Sequence, residues 1–547
     1  MALMVNALPK IPKPDNSPMV SFAQGTKERE LLLAEIERLR SITEVPTLPL
    51  WINGPVYSKE TMPCIVPHDF HRYLAHFSTV TEEHVHTAVE TALNARERWS
   101  QIPWFMRFHI FRKTARLLET KYLIKMVAAV MEDYSKNPYE AFIDVQELID
   151  FLNFNVYYAS QIYAEQPDSN QDTQNLLDYL PLEGFIFAAS PNNFIAINGN
   201  LCTAPLIMGN VVIAKPSSDV VYSFHLFLEV LHEAGLPADV LSVLYGNSKM
   251  IGDILLEHPM LSGIHFTGGT ETFSELWKRA GNNVDIYRNF PVVVGETGGK
   301  DPIVVYDDSD PLQSATAIAV GGFGGQGRKC SATSCVYMTP EMFAKVKPHL
   351  LTFLHTIKVG DVADLTNYMG AIINEREYKK VNRYISQAYE DTLQGVRMIL
   401  RGNTAPNTKG WFIAPTIIVT DNPRYRTMSE EIFGPVVTIC LLSKDRFEKE
   451  VLTLCDSNSP YALTCAIHTQ DVFRFSEALH ALRFAAGNIY DDRTTAAMVN
   501  QQPFSGARRS GTDSKVGWSQ NLRNWTKPRT ICLRSTKTTF PPKYLEE

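Results

Sequence analysis

Apolar residues recur at helical spacing from about Lys27 to Tyr163, most clearly in "TEEHVHTAVETALNARERW" and "VQELIDFLNFNVYYASQIY". The spacing predicts a helical opening region. Beyond it the pattern changes to short apolar runs, "GFIFAA", "NVVIAK", "VLSVLY" and "SGIHFT", separated by amphipathic stretches such as "YSFHLFLEVLHEAG" and "KMIGDILLEH". Buried strands alternating with helices predict a parallel sheet. Gly235 stands where a helix C-cap belongs, and the "GLP" that it begins turns the chain toward the next strand. The alternation resumes after residue 300 in "PIVVYD", "SCVYM" and "GPVVTICLL", so two α/β domains are expected.

A chain of 547 residues exceeds what one hydrophobic core usually supports, in keeping with that division. Hydrophobic residues make up 45% and charged residues 20%, an ordinary globular composition without repeats or low-complexity tracts. The net charge of -7 argues against nucleic acid or an anionic membrane as partner and favours a small molecule. No apolar run reaches the ~18 residues of a membrane span. Cysteines at 64, 202, 330, 335, 440, 455, 465 and 532 form no C-x-x-C pair and no zinc spacing with histidine. This spacing predicts free thiols and no structural metal. The first 18 residues lack Arg, and prolines at 9, 12, 14 and 18 interrupt any presequence helix, so a cytoplasmic address is expected.

The stretch "GGFGGQGRKCSATSC", residues 321–335, invites two phosphate-binding readings. A P-loop needs Gly-Lys-Ser/Thr after its spacer, whereas Arg328 and Lys329-Cys330 follow Gly327. A dinucleotide fingerprint needs a strand before it and a helix after it. Here the order is reversed: Asp310-Pro311 opens a helix and "SCVYM" has strand composition. What remains is a flexible backbone wrapped around Cys330.

Four distant stretches, "SPNNF" (190–194), "GETGGK" (295–300), "QGRKCS" (326–331) and "EEIFGP" (430–435), together resemble the aldehyde dehydrogenase superfamily. With "ELIDF", "PLEGF", "GETGGKDP", "KCSA", "AAGNIYDD" and "QQPFSGAR", the chain is similar to the glutamate γ-semialdehyde (Δ1-pyrroline-5-carboxylate) dehydrogenase family from about residue 20 to 529. The resemblance implies two Rossmann-type α/β domains and a small oligomerisation arm. Residues 1–295 would hold the helical region and the NAD-binding domain, 296–490 the catalytic domain, and 491–547 an anchor loop and an oligomerisation segment. It also implies a homodimer, and by itself admits a mitochondrial matrix address.

The chemistry suits these residues. Oxidising an aldehyde by hydride transfer requires a tetrahedral adduct, which a thiolate creates, so Cys330 is the candidate nucleophile. Its thiolate needs a basic neighbour or backbone dipoles. An amide beside the thiol stabilises the oxyanion and a carboxylate of raised pKa activates water against the thioester; the resemblance implies Asn193 and Glu296. For NAD it implies Lys215 and Glu431 on the two riboses, Phe433 beside the nicotinamide, and Gly268 and Gly269 under the pyrophosphate. Ser218 stands where an acidic residue is common, which leaves NADP open as an alternative. Gly269 replaces a common Ser, Asn192 a common Phe, and Cys335 an Arg of similar sequences. For the substrate it implies Glu147 facing the ammonium, Ser331 and the loop before "QQPF" holding the carboxylate, and Phe194 and Phe504 flanking the chain. That loop reads "TTAAMVN", with Ala496 and Ala497 in place of Gly and Ser. Three readings follow: an NAD-dependent semialdehyde dehydrogenase, with another amino-acid aldehyde as alternative substrate; an acylating enzyme using coenzyme A, disfavoured by Glu296; and a binding protein that has lost activity.

Overall fold

The computed structural model describes residues 9–496, 502–536 and 543–545. Among them two seven-stranded sheets dominate. In the first, the strands run in the order Val292–Glu296, Leu261–Thr267, Phe185–Ala189, Val211–Lys215, Leu241–Val243, Leu50–Trp51 and Pro55–Val56. The first five are parallel neighbours, as expected for apolar runs buried on both faces. The second sheet runs Val396–Arg401, Thr416–Thr420, Val436–Leu441, Thr333–Met338, Asp301–Val305, Thr464–His468 and Asn488–Asp491. It is parallel except at the pairing of Val396–Arg401 with Thr416–Thr420.

Local signals act where they were expected. Gly235 ends the helix Val221–Ala234 with φ 108°, and Asp310 caps Pro311–Phe323 by accepting from the Gln313 N–H. The helix Pro138–Ala164 carries Glu147 and starts from an Asn137 cap with proline in its first turn. The opening region, by contrast, is not wholly helical. Strands Thr61–Val66 and Asp69–Ser78 pair antiparallel within it, and Leu50–Trp51 joins the first sheet. Prolines at 46, 49, 55, 63 and 67 deny this stretch a helix, and the window from Lys27 to Tyr163 averaged it with the helices on either side.

The C-terminal part returns to the first domain. Trp525 and Leu522 are fully buried in its core, the Trp525 ring lies 4.6 Å from that of His265, and the Trp525 carbonyl accepts from Asn210 Nδ2 at 2.8 Å. Lys527–Arg534 then pairs antiparallel with Thr173–Leu180, forming a two-stranded arm. Of the last stretch, "TTFPPKYLEE", only residues 543–545 are described.

Trp525 therefore ties the chain's end to the first sheet. Trp525→Ala should lower unfolding stability by about 3–5 kcal/mol, read from thermal or denaturant unfolding. An unchanged midpoint would show that the segment is not part of that core.

Candidate active site

Parallel strands bring loops together at their C-terminal ends, where α/β sheets bind ligands. The strands Phe185–Ala189, Val211–Lys215 and Leu261–Thr267 end beside a cleft of about 400 Å³, lined among others by Asn193, Lys215, Gly268, Gly269, Glu431 and Phe433, with Cys330 in its wall. The helix Thr270–Asn282 starts there at Gly269 with no side chain capping its first N–H groups. Nothing stands closer than 3.9 Å to where a Gly269 Cβ would project. Free N–H groups, a positive dipole end and open space fit the pyrophosphate of a dinucleotide.

Lys215 lies at the end of its strand, and burial pushes its ammonium down to about 8. Glu431 accepts from the Gly299 N–H at 3.1 Å, and burial raises its carboxyl. Phe433 adopts φ 60°, with the Arg328 guanidinium 5.2 Å from its ring. Ser218 is half-buried but does not line the cleft; its neighbour Ser217 does, donating to Asp219 at 3.2 Å. Adjacency in sequence could not separate the two serines of "KPSS".

The glycine run is needed for close approach. Helix Pro311–Phe323 gives way to a tight turn in which Gly325, Gln326 and Gly327 all have positive φ. A Cβ on Gly327 would stand 2.5 Å from the Gly434 carbonyl oxygen and 2.6 Å from that of Gly322. The turn delivers Cys330 to the junction of the cleft with a second cavity of about 100 Å³. Burial pushes the Cys330 thiol well above its ordinary range, and the carboxylates of Asp301, Glu296 and Glu431 add to this, opposed by the Ser331 N–H. Of the two expected supports for a thiolate, a basic neighbour or backbone dipoles, the Ser331 N–H supplies the second. Lys329 is adjacent in the chain, but its ammonium pairs with Glu140 at 2.8 Å.

Asn193 lies in the loop before the helix Ile195–Ile207, whose first N–H groups, on Ile195 and Ala196, donate to the Asp144 carboxylate at 3.1 and 2.9 Å. Its Nδ2 donates to the Arg328 carbonyl at 3.0 Å. Glu296 accepts from the Ser505 hydroxyl and from the Gly506 N–H at 3.0 Å; burial raises its carboxyl to about 8, while those two bonds pull the other way. A carboxyl that titrates near neutrality suits a general base.

The second cavity is lined by Glu147, Phe194, Ser331, Ala496 and Phe504 together with Glu296 and Cys330. Burial raises the Glu147 carboxyl to about 8, helped by Asp144 and opposed by Lys136 and Lys329. Ala497 lies outside the described residues. Three contributors escaped sequence reasoning. Ser505, next to Phe504 in "QQPFSGAR", holds Glu296; the Lys136 ammonium pairs with Asp144 at 2.8 Å and lies 3.7 Å from the Phe194 ring centre; Lys329 forms part of the cavity wall. No local motif marks a partner across such sequence distances. Cys335 sits buried with its thiol 3.7 Å from the Lys300 carbonyl, and nothing in the structure explains why it replaces an arginine.

Residues 55–531 match the aldehyde dehydrogenase family, and the chain belongs to that family. Among its relatives, the mitochondrial delta-1-pyrroline-5-carboxylate dehydrogenase of Dictyostelium discoideum is 38% identical, with 95% of this chain and 93% of the relative covered. The enzyme of that name from Agaricus bisporus is 40% identical over 93% of each. The Mycobacterium tuberculosis delta-pyrroline-5-carboxylate dehydrogenase bound with NAD superposes with a TM-score of 0.92 at 36% identity, covering 98% of this chain and 99% of that one.

Replacing Ser505 by Ala removes a hydrogen bond that favours the ionised Glu296, so its pKa should rise above about 8. A base works only when deprotonated. The acid limb of the kcat profile should therefore move to higher pH, and a limb that stays in place would show that Ser505 does not tune this carboxyl.

Proposed function

We propose that this chain oxidises L-glutamate γ-semialdehyde, the open form of Δ1-pyrroline-5-carboxylate, to L-glutamate, with NAD as electron acceptor. The observation that carries the proposal is one thiol, Cys330, facing two unlike spaces: a cleft with an uncapped helix start and a small cavity containing Glu147 and two phenylalanines. The relatives' names support the substrate and the NAD-bound neighbour supports the cofactor.

In the cleft, the Thr270–Asn282 helix start receives the pyrophosphate, Lys215 and Glu431 the riboses, and Phe433 the ring side. When bound, NAD supplies the hydride acceptor. Cys330 sulfur adds to the aldehyde carbon as Glu296 takes the thiol proton, and the carbonyl oxygen becomes the oxyanion of a thiohemiacetal. Asn193 Nδ2, with its second hydrogen, and the Cys330 N–H hold that oxygen. Collapse of the oxyanion expels hydride and leaves a thioester on Cys330. Glu296 releases the first proton to solvent and then takes one from water, which attacks the thioester carbon; the C–S bond breaks, the Cys330 sulfur takes that proton back from Glu296, and the acid leaves. Coenzyme A as acceptor would need no such base, and Cys330, Asn193 and Glu296 together argue against a protein that only binds.

In the second cavity, Glu147 receives the substrate ammonium. Ser331 and the loop at Ala496 and Ala497 receive the carboxylate, while Phe194 and Phe504 flank the aliphatic chain. An alanine at 496 narrows that loop's approach relative to glycine, which favours a related amino-acid aldehyde as the alternative substrate. The two-stranded arm formed by Thr173–Leu180 and Lys527–Arg534 is the proposed contact of a homodimer.

The test is the specificity constant for Δ1-pyrroline-5-carboxylate against unsubstituted aliphatic aldehydes of similar length, followed as reduced nicotinamide. The charged substrate should win, and Glu147→Gln should erase at least about tenfold of that preference, the scale of one charge-assisted bond. If the simple aldehydes win in the wild type, the substrate assignment is wrong.

A further inference from the structure

Nucleophile and oxyanion donor come from different domains, which poses a registration problem. Asn193 belongs to the loop after Phe185–Ala189 of the first sheet, whereas Cys330 belongs to the turn before Thr333–Met338 of the second. Catalysis by a positioned donor tolerates little displacement. Something has to hold the loop against the turn.

Arg328 touches both members of the Asn192-Asn193 pair. Its Nη2 donates to Asn192 Oδ1 at 2.7 Å, and its own carbonyl accepts from Asn193 Nδ2 at 3.0 Å. Arg328 is 4% exposed, burial pushes its guanidinium down to about 10, and its Nε has no protein partner. Burying a guanidinium is costly unless its contacts are well made, so a surface charge that happens to rest here is a poor account of it. Asn192 is itself held: its Nδ2 donates to Asp219 Oδ2 at 2.8 Å, and Asp219 accepts from Asn374 Nδ2 at 3.2 Å. Asn374 caps the helix Glu375–Glu390 of the second domain. The chain of contacts therefore leaves the second domain at Arg328, crosses two loops of the first and returns at Asn374.

We infer that Arg328 and Asn192 form an interdomain bracket that positions the Asn193 amide against Cys330. The inference rests on the proposed roles of those two residues. Neither bracket residue touches the reacting atoms; both are positioning residues. A phenylalanine at position 192 could neither accept from Arg328 nor donate to Asp219.

Both side chains also line the cofactor cleft, so the competing account is a clamp on the dinucleotide. Hydrolysis of p-nitrophenyl acetate separates the two, because acyl transfer to the thiol uses the oxyanion hole and no dinucleotide. In the full-length protein without NAD, Arg328→Met and Asn192→Leu should each lower kcat for ester hydrolysis by about tenfold, a partial loss of one oxyanion donor. NAD affinity by titration should change less than about threefold, and the double variant should be no worse than the worse single one, as for residues sharing one interaction. Asn192→Asp keeps an acceptor for Arg328 but loses the donor to Asp219, so its rate should fall between those of the wild type and Asn192→Leu. Unchanged ester hydrolysis in Asn192→Leu, with or without a loss of NAD affinity, overturns the bracket, and this half-buried position carries the test should Arg328→Met not fold. A wild type that cleaves the ester yet reduces no NAD with any aldehyde would sink the proposed oxidation and leave the bracket standing on the ester data.

Discussion

The rest of the structure depends on placing one half-buried thiol where two domains meet, in the wall of the cleft and among carboxyl groups. Burial makes Cys330 a poor thiolate, and the carboxylates of Asp301, Glu296 and Glu431 make it poorer. Reactivity must then come from geometry that acts when an aldehyde arrives: a nearby base that titrates near neutrality and donors waiting for the oxyanion. Burial raises the Glu296 carboxyl to about 8, the range the proposed base needs, and Ser505 and Gly506 keep burial from raising it further. The same dry environment strengthens each hydrogen bond to charge that develops there.

The two sheets make that placement possible. Parallel order puts the loops after Phe185–Ala189, Val211–Lys215 and Leu261–Thr267 on one edge, and the glycine turn of the second domain inserts against them. Asp144 extends the scheme, since one carboxylate caps the helix that follows Asn193 and also pairs with Lys136 beside Phe194. Cleft and cavity are therefore joined through shared supports as well as through the thiol.

Much of this was legible in the chain. The apolar runs of residues 185–296 and 301–441 became parallel strands because burial on both faces leaves a continuous signal, and the caps at Asp310 and Gly235 are local chemistry. The strands between residues 47 and 78 were missed because one window from Lys27 to Tyr163 averaged them with the long helices on either side. Cys330, Glu296 and Asn193 stand in distinctive stretches, and all three line one or both spaces. Ser505, Arg328 and the Lys329–Glu140 pair were not legible as contributors. Their partners lie 209, 136 and 189 positions away, from Ser505 to Glu296, from Arg328 to Asn192 and from Lys329 to Glu140, distances over which only the folded chain creates a contact. Ser218 shows the converse: a serine in a suggestive motif that the turn carries away from the cleft.

The central claim is that oxidation passes through a covalent bond to Cys330. The most direct measurement is mass spectrometry of the peptide bearing Cys330, after acid quenching within the first turnover of the protein with NAD and Δ1-pyrroline-5-carboxylate. The account predicts a glutamyl thioester on Cys330 and none on the seven other cysteines. Reduced cofactor formed with no acyl group on that peptide, or with the acyl group on another cysteine, would contradict it.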